Sequence, residues 1–153
     1  MSRAFVKETA ESAPPPERMV DDGPNLVTPD GLAQIEAHVA RIEDALKSES
    51  NPLLRETLAR DLRYWVHQRS TAQVVAPSPV KTGEEHTVAF GSSVTVSRKG
   101  REQSFRIVGV DEAGPSRGLI SFRSPLAAAI LGSGEGDTVE SPLGEIAILK
   151  VQN

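Results

Sequence analysis

Few residues in this chain have the type and spacing that chemistry demands. His38, His67 and His86 are its only imidazoles. They lie far apart without ligand-spaced companions, so they read as solvated or half-buried side chains rather than a metal centre. Gly132, Gly134 and Gly136 suggest a phosphate-cradling loop, but such a loop opens a helix and ends in Lys-Ser/Thr. These glycines follow a helical stretch and lack that ending, so a turn is expected. No serine occupies a Gly-x-Ser-x-Gly elbow, and there is no cysteine for thiol chemistry, a thiolate zinc site or a disulfide. Tyr64 and Trp65 could stack a nucleic-acid base, yet Trp65 falls at core spacing. Arg55, Arg60 and Arg63 could form a basic stripe facing nucleic acid or an acidic protein. The plainer reading pairs them with acids on a neighbouring helix. These patterns give no catalytic residue, no metal ligand and no cofactor.

The elements that would carry such residues must be built from a chain of 153 residues, 38% hydrophobic and only 4% aromatic. Any core is therefore mostly Val, Ile, Leu and Ala, since large aromatics are scarce. The net charge of −4 argues against simple duplex-DNA binding, which relies on basic surfaces releasing counterions. Met1 to Val27, with Pro14-Pro15-Pro16 and flanking charges, reads as a disordered tail. It has no apolar run of signal-peptide type, and no segment approaches a membrane span. A soluble, cytoplasmic protein with no membrane partner is expected.

Thr28-Pro29-Asp30 has the form of a helix start: an N-cap, a proline at the first position and an acid at the positive end of the dipole. Leu32, Ile35, Val39, Ile42 and Leu46 follow at alternating spacings of three and four, a heptad seam. Ser48-Glu49-Ser50-Asn51 interrupts it, and Pro52 opens a second helix carrying Leu54, Leu58, Leu62, Trp65 and then Ala72. Two helices so closely joined must be antiparallel neighbours, each about 30 Å long. The hairpin is expected over 28–75, a Pro-rich linker over 76–86 and a second domain over 87–153. In that domain the period changes to two around Val94-Thr95-Val96 and Phe105 to Val108. Leu119 to Phe122 reads as a strand. Ser124 caps a short helix with Pro125 at its first position, ended by Gly132. Thr138 to Glu140 and Glu145 to Val151 form a hairpin across Ser141-Pro142-Leu143-Gly144. The fold class is α+β: an antiparallel helical hairpin followed by a mainly antiparallel sheet with one short helix.

Several of these segments resemble the GreA/GreB family of bacterial transcript-cleavage and elongation factors. The likeness lies in Val88-Ala89-Phe90-Gly91-Ser92-Ser93-Val94 and in Phe105-Arg106-Ile107-Val108-Gly109 followed by Asp111-Glu112. It continues through Ile120-Ser121-Phe122-Arg123-Ser124-Pro125-Leu126-Ala127 and Gly136-Asp137-Thr138-Val139 to Pro142-Leu143-Gly144-Glu145. Thr28-Pro29-Asp30-Gly31-Leu32 is similar to the start of the family's coiled coil. The resemblance implies an FKBP-like C-terminal domain that docks at the rim of the secondary channel of RNA polymerase, and a coiled coil that enters it. Acids at the family's tip help to hold a second magnesium ion, and the polymerase then hydrolyses its own backtracked RNA. Any cleavage is thus performed by the polymerase, and the chain itself is not expected to be an enzyme.

Two departures bear on that expectation. The family's tip reads like Gly-Asp-Leu-Ser-Glu-Asn-Ala on long helices, whereas here the turn is Lys47-Ser48-Glu49-Ser50-Asn51-Pro52. Magnesium wants several hard oxygen ligands in near-octahedral geometry, and Glu49 is a single carboxylate. Glu49 and Asn51 are therefore tip residues without an expected metal. The second departure is Arg123, standing where the family often has Asp or Asn before the Ser-Pro. The resemblance places Arg123, Ser124, Pro125 and Leu126 on the polymerase-docking surface; Ser124 and Pro125 also have a plain reading as cap and helix start. An FKBP-like fold raises prolyl isomerase activity, but Phe90, Phe105 and Phe122 all fall at strand-like core positions. The expectation is a monomeric, RNA polymerase-binding factor that modulates elongation or initiation without stimulating cleavage, with at most indirect contact to nucleic acid in the transcription complex. The alternatives are a cleavage-competent factor using Glu49 with Glu43 or Asp44, and a protein similar to the regulator of nucleoside diphosphate kinase.

Overall fold

The computed structural model describes residues 13–76 and 86–153. The first part of the expected tail and most of the expected linker lie outside them. The chain divides into two compact units. Of the described residues, one holds 13–23 and Ile35–Thr71; the other holds Pro24–Gln34, 72–76 and 86–153.

Helix α1 spans Pro29–Ser48 and helix α2 spans Pro52–Thr71. The heptad seam of α1 is real: Ile35, Val39 and Ile42 are buried. The facing side chains of α2 are less covered. Leu58, Leu62 and Trp65 are only half-buried, and Leu54, an expected seam residue, is exposed. Leu54 lies in the first turn of α2, beside the hairpin turn, where the pair ends. His38 stacks on Trp65 with ring centroids 4.1 Å apart, and Arg55 reaches back to Leu46. These contacts fix the antiparallel register. The ion pairs of the described helices do not cross between them, contrary to the expected cross-helix charge pairing. Arg60 pairs with Asp61 beside it, Lys47 with Asp44, and Arg63 with Glu17.

Two short strands correct the expected boundaries. Asn25–Val27, assigned to the tail, forms β1, and Ala72–Val74, assigned to the second helix, forms β2. They pair in parallel, Asn25 opposite Ala72 and Val27 opposite Val74. Three residues are too few to show a period, which is why pattern alone extended the helix to Ala72.

The second unit is built on a five-stranded sheet in the order β5-β4-β3-β7-β6, from β3 (Ser93–Arg98), β4 (Arg101–Val108), β5 (Leu119–Ser121), β6 (Thr138–Ser141) and β7 (Gly144–Gln152). Within this sheet of the described residues, the β4–β5 pair is parallel and the other pairs are antiparallel. Lys99 and Gly100, both at positive φ, make the tight turn between β3 and β4, where glycine costs no strain. Val94 and Val96, Phe105 and Ile107, and Ile146 and Ile148 point to one face and are buried, as period-two alternation requires. Helix α3, Pro125–Ile130, covers that face with Leu126, Ala127 and Ile130. Opposite Thr95 and Val96 the register slips by one residue. Leu149 is the extra residue and is exposed, and Val151 returns to the core. The fold is α+β.

Candidate functional site

The hairpin tip is held by its own polar groups. Asn51 caps α2, its Oδ1 accepting from the backbone N–H of Leu53 at 3.0 Å and Leu54 at 3.3 Å. Glu49 Oε1 accepts from the Asn51 N–H at 3.0 Å. Arg55 Nη1 donates to the carbonyls of Leu46 at 2.7 Å and Glu49 at 2.6 Å, satisfying oxygens that the end of α1 leaves open. Both expected tip residues are therefore engaged in turn geometry. Arg55 leaves the expected basic stripe to close the hairpin. Arg60 and Arg63 leave it as well: Arg60 Nη2 lies 2.9 Å from Asp61 Oδ1, and Arg63 forks onto Glu17. The three are partnered cations, Arg55 on backbone carbonyls and Arg60 and Arg63 on acids.

The corner before α3 is built from the residues expected for docking. Ser124 Oγ accepts from the Ala127 N–H at 3.3 Å and so caps the helix, with Pro125 in its first turn. Leu126 is a correction: it is buried in the core and cannot face a partner, because the first turn of α3 aims it at the sheet. Arg123 and Pro125 are exposed. The Arg123 guanidinium donates to the Pro24 carbonyl at 3.0 Å and lies 5.4 Å from the Phe122 ring. The expectation for the three phenylalanines also changes. Phe105 is buried in β4, but Phe90 and Phe122 lie in turns, packed edge-to-face at 5.6 Å against the core.

Two features have no counterpart in the sequence pattern. Glu112, quoted above only as part of a motif, is a buried carboxylate. It accepts from the Thr28 N–H at 3.1 Å, from the Thr28 hydroxyl, and from the Gly109 N–H at 3.0 Å. Thr28 Oγ1 in turn accepts from the Gly31 N–H at 3.0 Å, as the N-cap of α1. A β-carbon on Gly31 would run into the Glu112 carboxyl, and one on Gly109 would stand 2.6 Å from the Leu26 carbonyl. Both glycines are needed for close approach. The second feature is the segment before β1. Glu17 bridges to Arg63, and Arg18 lies 3.7 Å above the Tyr64 ring and 3.7 Å from Asp61.

The Arg63 hydrogen bond, chiefly, holds the Glu17 carboxyl below its ordinary range; desolvation opposes it, and the charges of Arg63 and Arg60 assist.

Residues 83–152 match the family described as "Transcription elongation factor, GreA/GreB, C-term". The chain is 40% identical over 116 residues to a transcription elongation factor GreA of Chloroflexus aggregans, a match spanning 72% of this chain and 68% of that protein. It is 42% identical over 80 residues to the corresponding factor of Alkalilimnicola ehrlichii, half of this chain and 49% of its relative. The solved structure of a GreA/GreB factor from Nitrosomonas europaea, 22% identical, covers 86% of this chain and 100% of its own, with a TM-score of 0.40.

Proposed function

The chain belongs to the GreA/GreB family of transcription elongation factors, and from that premise we propose that it binds RNA polymerase near the secondary channel and modulates elongation or initiation by occupying it, without stimulating RNA cleavage. It is a factor rather than an enzyme, as its relatives are named. The observation that carries the absence of cleavage is the tip. Its turn presents one carboxylate, Glu49, and one oxygen of that carboxylate is spent on the Asn51 N–H. A second magnesium ion needs several hard oxygens held in fixed geometry. Glu43 and Asp44 are exposed, but they lie a turn or more back along α1. The docking surface in this reading is the exposed part of the α3 corner, Arg123 and Pro125. An arginine in place of an acid there calls for an acidic patch on the polymerase. The protein acts as a monomer in the cytoplasm and touches nucleic acid only through the transcription complex.

The test adds the protein to core polymerase beside a cleavage-stimulating Gre factor. Displacement of that factor, with no shortened RNA from a backtracked complex, is the expected result. Rapid shortening abolished by Glu49→Ala favours the cleavage-competent alternative. No competition at saturation overturns the channel reading.

A further inference from the structure

The geometry points to a second protein-binding face on α2, formed by Asp61, Arg63, Tyr64 and Trp65, which the chain's own Glu17-Arg18 segment occupies as a displaceable strap. The contacts alternate in kind. Arg63 Nε donates to Glu17 Oε2 at 3.1 Å, and its Nη2 donates to the other carboxylate oxygen. Arg18 sits 3.7 Å above the Tyr64 ring, 5.3 Å from the Trp65 ring and 3.7 Å from Asp61 Oδ1. The face therefore takes an acid and a base from adjacent residues of one segment. An Asp beside the arginines disfavours a phosphate backbone and favours a polypeptide.

The strap is built to leave. Met19 and Val20, next in the chain, are 93% and 41% exposed, so neither anchors it. Exposed ion pairs and cation–π contacts are individually weak. The tether adds to these contacts an effective concentration on the order of millimolar, as a short connection does. A partner segment with an acidic and a basic residue side by side competes on equal terms with Glu17-Arg18 and replaces it once its own concentration or extra contacts exceed that level. The proposal goes beyond polymerase binding and does not depend on it.

Trp65 is the only tryptophan in the chain and reports directly on the face. At neutral pH, Glu17→Arg and Arg63→Glu should each shift its emission to the red and raise its quenching by acrylamide. The double exchange should restore the native spectrum by re-forming the pair in reverse. A synthetic peptide of native sequence spanning 13–23 should then bind the full-length Glu17→Arg chain, whose face is intact but uncovered, and should bind the native chain far more weakly. Single variants with native emission would mean that the strap is not seated in solution, and a double exchange that restores nothing would mean that the pair does not hold it. Either result overturns the proposal. So does an opened chain that ignores the peptide, or that prefers a single-stranded oligonucleotide to it. Far-UV circular dichroism of each variant separates these outcomes from unfolding, and the surface position of Arg63 keeps that risk small.

Discussion

Among single residues, Glu112 has the largest structural consequence. Its carboxylate satisfies the N–H groups of Thr28 and Gly109 and the Thr28 hydroxyl in a site closed to water. Glu112→Ala removes the acceptor and leaves buried donors unmet, at about 1–3 kcal/mol for each group so orphaned. A lowered urea midpoint with unchanged m-value is expected, and Glu112→Gln should lose less because one side-chain oxygen still accepts. An Asp-Glu pair after a glycine gives no sign of burial, so the sequence offered no route to this role. The Thr28 cap was legible because its type and its place before Pro29 suffice to define it. Glu17 makes a second residue-scale prediction. Its pKa is lowered in the folded chain, first by the Arg63 hydrogen bond and then by the charges of Arg63 and Arg60, against desolvation. Arg18 adjoins it, and Glu56 acts on Arg63 from the same helix. A carboxyl with a depressed folded-state pKa contributes above its ordinary value, and the contribution is lost as pH falls through the lowered one. The Arg63 Nε–H resonance should therefore hold its bonded position through the ordinary glutamate range and move only below it.

Along whole elements, the seam of α1 was readable because three- and four-residue spacing places Leu32, Ile35, Val39, Ile42 and Leu46 on one stripe whatever packs against it. Burial of α2 was not, because burial depends on how many neighbours a helix has, and spacing carries no such count. Thus Leu54 is exposed while the polar Gln68 is buried. The sheet was legible for the same reason as α1: Val94 and Val96, or Ile146 and Ile148, alternate strictly until the bulge at Leu149. The cap and proline of α3 were likewise legible, but not the inward aim of Leu126. A packing prediction follows for the hairpin. Ile42 is 2% exposed, in the buried seam of α1. Ile42→Ala removes buried methyl groups, at a loss of about 2–5 kcal/mol. The check is loss of helical ellipticity in urea. An equal loss for Leu54→Ala would contradict the exposure difference between the two positions.

At the scale of the molecule, the α+β fold and the family were legible because ordered motifs run from Val88 to Glu145, while the proposed absence of cleavage rests on the tip, where the turn reads Lys47-Ser48-Glu49-Ser50-Asn51-Pro52. Charge and reach make separable contributions there. The helices of 20 residues are each about 30 Å long. Ser48→Asp with Ser50→Asp adds carboxylates beside Glu49 without lengthening anything. If the deficit were charge alone, this variant would shorten the RNA of a backtracked complex. We expect it not to, because two-metal hydrolysis requires the ion to be placed as well as bound. Inserting seven residues into each helix keeps the seam in register and adds about 10 Å of hairpin. The acids and the insertion together should shorten the RNA, and the insertion alone should not. Cleavage by the acid variant at native length would show that reach was never the limit. Competition with a Gre factor, unchanged across all these variants, would place the docking determinants outside the tip.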